Sequence, residues 1–435
     1  MSDDGGRRMK WIFFLLVLSL LLVLSLQSLQ AEITAGEMFT KASRDDDLKT
    51  IETLLSAGFN PNLPVHGYTP LWFAMQFNRT DVVDMLLAGH ADPNALLLSG
   101  DASRFSETPL QFAVQQCNLQ IVSLLIAAGA RVDAKGTTGC TALHFAVRGN
   151  HLDTIRLLIE KGADLNVRDK EGASPLDDAA WRGSLDTVAI LLAHGARLNE
   201  SDTQTGATPI NEAAFLGNTP VVRYLLQFHP DLEIPDKRGY TPLDNAIRMG
   251  KEDSAVLLLE GEPKDRQTPQ FFGKTMVPAI RKDESLLLEA LLRHGAPANG
   301  LLPSGATPLD VAASAGSIKV VRVLLDNNAD PNISSKNGAT PLEDASLKGL
   351  DSIVGMLLDH GALVNRLNSG SGTTALYAAA SFGKGDVVKL LLNRGADPSL
   401  CGSNRKSPYQ AALENGYTEV ATQIRNHGGA QSCEP

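Results

Sequence analysis

The chain has 435 residues, of which 43% are hydrophobic and 20% charged, with a formal net charge of −10. This is an ordinary balance for a folded soluble chain, and its acidity argues against nucleic acid or an anionic membrane surface as the main partner. Four cysteines in such a length exclude a fold that depends on disulfides.

The chain opens on an exception to that average. Arg7, Arg8 and Lys10 precede an apolar run from Trp11 to Leu26, interrupted only by Ser19 and Ser25 and followed by Gln27-Ser28-Leu29-Gln30-Ala31-Glu32. A basic start, an apolar core and a small residue at the cut describe a secretory signal peptide, with cleavage expected after Ala31. An uncleaved membrane anchor competes, because the stretch reaches 19 residues when Gln27 to Leu29 are included. Three parts are expected: residues 1–31 as signal peptide or anchor, 32–430 as a repeat array and 431–435 as a C-terminal tail. In both cases the array lies outside the cytoplasm, in the periplasm or secreted, and only an uncleaved N-terminal segment would tie it to a membrane.

Beyond that segment the chain repeats itself. Thr141-Ala-Leu-His-Phe-Ala146 is one copy of a hexad that also begins at Thr69, Thr108, Ser174, Thr208, Thr241, Thr307, Thr340, Thr374 and Ser407, mostly 33 or 34 residues apart. A worn copy starts at Lys274 and another near Glu37, giving about twelve units. A fixed period of this length means a solenoid whose units stack to bury faces that none could bury alone.

Each unit reads as two short amphipathic helices and a polar loop. The Thr or Ser of the hexad is placed to accept from first-turn N–H groups, and proline at the next position is preorganised for that turn. Ten positions into the unit a left-handed residue is expected, as at Gly183 or Asn78; Cys117 is the one poor fit. Pairs such as Val82-Val83 and Leu86-Leu87 give the second helix one apolar face. Glycine ends it in most units, and Ala-Asp-Pro-Asn, as at 91–94 and 329–332, turns the chain into the next loop. Two loops are irregular. Residues Ala95 to Arg104 lengthen one by six, adding Leu96-Leu97-Leu98 before Phe105, and Glu260 to Lys274 places Phe271-Phe272 where a plain hairpin is expected. Each is either drift tucked onto a neighbour or a specialised contact loop. The first and last units carry polar residues where internal units are apolar, as Gln423 and Arg425 do, so a complete, capped array is expected.

Hexad, glycines, turn and period together resemble the ankyrin repeat over nearly all of residues 33–430. The resemblance implies an all-α solenoid of about twelve helix–turn–helix units with projecting β-hairpin loops. The departures are local: only His144 keeps the motif histidine, and Asp177, Asp244, Asp310 and Glu343 replace it. The resemblance also implies that partners bind a concave face made of hairpin tips and first-helix ends. Mapped here, the middle of that face gathers Trp181, Arg182, Phe215, Leu216, Tyr240, Arg248 and Met249 as expected partner-binding residues. Aromatics, Met and Arg are enriched in interface cores, although scattered exposed apolar residues are also normal.

Chemistry-bearing motifs are missing. No zinc-binding His-Glu-x-x-His, Cys-x-x-Cys, phosphate loop or nucleophile elbow occurs, so no catalytic residue, metal or cofactor is expected. His194, His294, His360 and His427 each precede a helix-ending glycine, where a cation suits the helix dipole. Cys117 and Cys140 sit at opposite ends of their unit, whereas Cys401 and Cys433 share nearly one repeat phase and are a candidate disulfide. The expected function is a non-enzymatic protein-interaction scaffold, exported to the envelope or beyond. The alternatives are a membrane-anchored tether and, more remotely, an enzyme without a readable motif. Export suggests a bacterial envelope protein; Asn78, Asn199 and Asn332 would be glycan acceptors only in a eukaryotic host.

Overall fold

The computed structural model describes residues 30–64, 67–95, 97–98, 106–402 and 405–429. The apolar segment Trp11–Leu26, Leu96, Phe105, Cys433 and the expected tail lie outside them. Among the described residues no helix is long and apolar enough to cross a membrane.

The chain forms two compact units, the first ending at Pro209 and the second beginning at Ile210. Each is a stack of helix pairs. The first unit opens on helical residues 30–45 and Leu48–Ser56, and its last pair is Pro175–Arg182 with Leu185–Ala193. The second runs from the pair Pro209–Leu216 and Thr219–Leu226 to Pro408–Glu414 and Thr418–Asn426. Counted over the described residues there are twelve pairs, as the period requires.

The hexad makes each first helix by the expected means. Thr108 Oγ1 accepts from the Gln111 N–H at 3.2 Å while Gln111 Oε1 accepts from the Thr108 N–H at 3.0 Å, a reciprocal cap. Pro109 follows at the first helical position. The left-handed slot is where expected, with φ of 71° at Gly183, 56° at Asn78 and 57° at Cys117.

Within each unit, first helices pack on first helices and second helices on second helices. The core is the sum of these faces: Leu143, Ala146, Val147, Ile155 and Leu158 in one pair are all buried. At roughly 2–5 kcal/mol for truncating one such leucine, stacking supplies the stability that these helices, mostly of seven to ten residues, lack alone. In the first pair, helical residues 30–45 bury Ala35, Phe39 and Ala42, so a chain starting at Glu32 would keep that face whole.

Two expectations need correction. The hairpins are mostly not β-ladders. Single backbone bonds close them, such as Asp169 N to Ala173 O at 3.0 Å and Ser335 N to Ala339 O at 2.9 Å. Among the described residues a ladder forms only in the lengthened loop, where Leu97–Leu98 pairs antiparallel with Ser106–Glu107. The second correction concerns the worn unit. Its first helix is Pro269–Arg281, beginning five residues before Lys274. Thr268 caps it by accepting from the Phe271 N–H at 3.3 Å, so Phe272 is buried in the core and not in a hairpin.

Candidate functional site

Much of the polar chemistry on the hairpin and first-helix side is spent on the repeat itself. His144 is fully buried; its Nδ1 accepts from the Thr141 N–H at 3.1 Å and its Nε2 faces the Ala173 carbonyl at 3.3 Å. That pairing fits the neutral Nε2–H tautomer, and burial pushes its pKa down to about 4. Asp177 holds the same place in the next repeat, accepting from the Ser174 N–H and hydroxyl, each at 2.8 Å. Its Oδ1 is buried with no hydrogen-bond partner among the described residues, and burial pushes its carboxyl up to about 7.

The Asp-Pro-Asn turns, and their variants Asp164-Leu165-Asn166 and Asp397-Pro398-Ser399, carry more than a turn. Asp92, Asp164, Asp330 and Asp397 each accept, through Oδ1, the N–H two residues on. The asparagines then bridge to the following repeat. Asn94 donates to the Gly129 carbonyl at 3.1 Å and accepts from the Arg131 N–H at 2.8 Å. Asn332 does the same with Gly361 and Leu363, at 3.0 and 2.9 Å. These bonds account for the carboxylates that resemble cation ligands, and no group of three candidate metal ligands occurs among the described residues. His194, His360 and His427 bond the carbonyl four residues back through Nδ1, at 2.8, 2.8 and 2.9 Å, while His294 faces Gln267.

In the first unit Arg148 ties neighbouring repeats together. Its guanidinium reaches Asp169 Oδ2 and Asp178 Oδ2, both at 2.7 Å, and donates to Cys140 Sγ at 3.2 Å. Burial works against the Asp169 charge, but hydrogen bonds from Arg148 and the Ala173 N–H hold its carboxyl below the usual range. Burial pushes the Cys140 thiol up, which makes it an inert core group. Cys117 and Cys140 are both free, Cys401 is disulfide-bonded, and Cys433 lies outside the described residues.

The seven expected partner-binding residues divide between the units. Trp181 and Arg182 end a helix of the first unit, both exposed, Trp181 by 47%. The other five belong to the second unit. Phe215 and Leu216 are half-buried, Arg248 and Met249 are exposed, and Tyr240 is half-buried beneath the Arg248 guanidinium, 4.7 Å from its ring centre. Phe215 and Leu216 are therefore partly core residues.

A second group on this side lies outside that expected patch. Phe73, Phe112 and Phe145 recur at the fifth hexad position, each half-buried. Trp72 stacks on Tyr68 with ring centres 4.3 Å apart and meets Phe73 edge-on at 4.9 Å. Its signal in the sequence is the aromatic residue at a fixed hexad position, which resembles ordinary core periodicity.

Known proteins share this repeat. The model for ankyrin repeats (3 copies) matches residues 39–136, 110–202, 176–268, 276–368 and 363–433. The ankyrin repeat protein nuc-2 of Neurospora crassa is 29% identical over 213 residues, 47% of this chain and 19% of that protein. The mouse B-cell lymphoma 3 protein homolog is 30% identical over 22% of this chain and 21% of its own length. A glycerophosphocholine phosphodiesterase of Schizosaccharomyces pombe is 40% identical, over 21% of this chain and only 8% of the enzyme. The crystal structure of the Bcl-3 ankyrin repeat domain superposes with a TM-score of 0.46 at 28% identity, covering 51% of this chain and 97% of that one. The chain thus spans about a fifth or less of the length of these three curated relatives.

Proposed function

Since the chain belongs to the ankyrin-repeat family, we propose that it is a non-enzymatic scaffold, exported from the cytoplasm, that binds a protein through first-helix ends and hairpin tips. The observation that carries this reading is the exposure of Trp181 and Met249, 47% and 40%, at first-helix C-termini, with Arg248 stacked on Tyr240 beside the latter. Large apolar side chains exposed at such positions add little to the stack, and aromatics, Met and Arg are the residues that dominate interface energies. The phosphodiesterase activity named for one relative belongs to that protein.

A photo-crosslinking residue at Met249 tests the surface in the native host. The control is the same residue at Arg223, exposed on the second helix Thr219–Leu226. A protein captured from Met249 and not from Arg223 supports the reading; equal capture from both contradicts it.

Export rests on the basic start and the apolar run Trp11–Leu26. N-terminal sequencing of the mature chain is expected to begin near Glu32. An intact apolar segment recovered in membranes would favour the tether.

A further inference from the structure

In the second unit, the first helices Pro308–Ala315 and Pro341–Lys348 and the hairpins before them wall a concavity of about 490 Å³. Asp310 and Asp344 line it, with Ser304, Ser314, Ser335 and Asn337. Such a volume admits a small ligand or the end of a long side chain. Its acids are underused. Asp310 Oδ2 accepts the Thr307 N–H at 2.9 Å, but Oδ1 has no hydrogen-bond partner among the described residues, although the residue is only 2% exposed. The Asp344 carboxylate, half-exposed beside it, accepts no hydrogen bond and enters no ion pair among the described residues. Two of the chain's own cations share the wall: the Lys348 ammonium donates to the Ser314 carbonyl and favours the Asp344 charge through space without pairing with it, and Arg281 forms no ion pair with either acid among the described residues.

The same hexad position elsewhere in this unit shows what would complete it. Asp244 Oδ2 is met at 2.7 Å by the Lys274 ammonium from the following repeat. Glu343 accepts from Asn368 at 2.6 Å and from Thr373 at 3.0 Å. Asp310 alone of these three keeps a buried oxygen unanswered. An unpaired buried acceptor costs free energy that a donor entering the concavity recovers.

We propose that this concavity seats an arginine side chain of a bound protein. The proposal rests on the protein-binding reading above and specifies the partner's chemistry. A guanidinium brings five N–H donors in a planar fork, which suits two carboxylates surrounded by hydroxyls and an amide better than the point charge of an ammonium. Its fork supplies the hydrogen bonds that Asp310 Oδ1 and the Asp344 carboxylate lack, and its three-carbon stem reaches into a recess while the partner's backbone stays outside.

Calorimetric titration of the full chain with N-acetyl-arginine methylamide tests this, with the uncharged N-acetyl-citrulline methylamide as control. Saturable binding of the arginine compound alone is expected, weakened roughly tenfold by Asp344→Asn, which is isosteric. Lys348→Gln, which removes a competing cation, is expected to tighten it about two- to threefold. Equal binding of the citrulline compound, wild-type binding by a folded Asp344→Asn, weaker binding after Lys348→Gln, or saturation by calcium in place of arginine would each overturn the proposal. No host protein enters the assay, so its failure is separable from failure to crosslink a partner at Met249.

Discussion

Cys117 shows how far local backbone geometry alone can be read. It occupies the slot that ends a first helix, at φ 57°, exposed and with a free thiol. A non-glycine residue in left-handed geometry is strained by about 1 kcal/mol. Cys117→Gly is therefore expected to raise the denaturant midpoint by about that much; a fall would mean that the side chain packs favourably. Glycine, asparagine or aspartate at every other such slot makes this geometry legible from residue type and spacing. The titration of Asp177 is not legible in that way. Its place in the hexad shows a lost histidine, but not that one carboxylate oxygen is buried with no hydrogen-bond partner among the described residues. Burial raises its folded pKa from 3.8 to about 7, so between those values the folded chain holds a proton that the unfolded chain has released. The stability this group contributes is present below about pH 4 and is lost as pH rises through about 7. Asp177→Asn removes the titration. From pH 5 to pH 8 its unfolding free energy should fall less than that of wild type, by on the order of 1–3 kcal/mol. Parallel curves would mean that the carboxyl titrates near its usual value. His144 works in the opposite sense, losing its contribution as pH falls from its usual 6.5 towards about 4, and cancels in the comparison.

The loops carry the inter-repeat polar bonds that hydrophobic periodicity does not reveal. Asn332 is marked by the sequence as a turn residue and glycan acceptor. The fold uses its amide group to bridge Gly361 and Leu363 of the next repeat. Asn332→Ala strands a carbonyl and an N–H in one step and should destabilise by roughly 1–3 kcal/mol, read from chemical denaturation. Asp326→Ala, at an exposed second-helix end, should stay within about 0.5 kcal/mol of wild type. Comparable losses in the two variants would show that the bridge adds nothing. The helix Pro269–Arg281 departs from the repeat register for a related reason. Hexad register points to Lys274, but Thr268-Pro269 provides a stronger local start, and a helix begins where its free N–H groups find an acceptor.

For the chain as a whole, the family and the stacked helix pairs are legible because one pattern recurs about twelve times, so that errors in one copy are corrected by the others. The partner is not, because the proposed binding uses positions that the repeat leaves free, where no rule of period applies. Of the residues expected to bind, Phe215 and Leu216 are half-buried, whereas Trp181 and Met249 are exposed at helix ends. Leu225 is fully buried in a second helix and provides the contrast. The most direct measurement is the dissociation constant of the partner crosslinked at Met249 for wild type, the Trp181→Ala/Met249→Ala double variant and Leu225→Ala, with thermal melts of each. The double variant should melt with wild type and bind at least tenfold more weakly, while Leu225→Ala should lose roughly 2–5 kcal/mol of stability. A double variant that stays folded and binds the partner as tightly as wild type would contradict binding through these two first-helix ends.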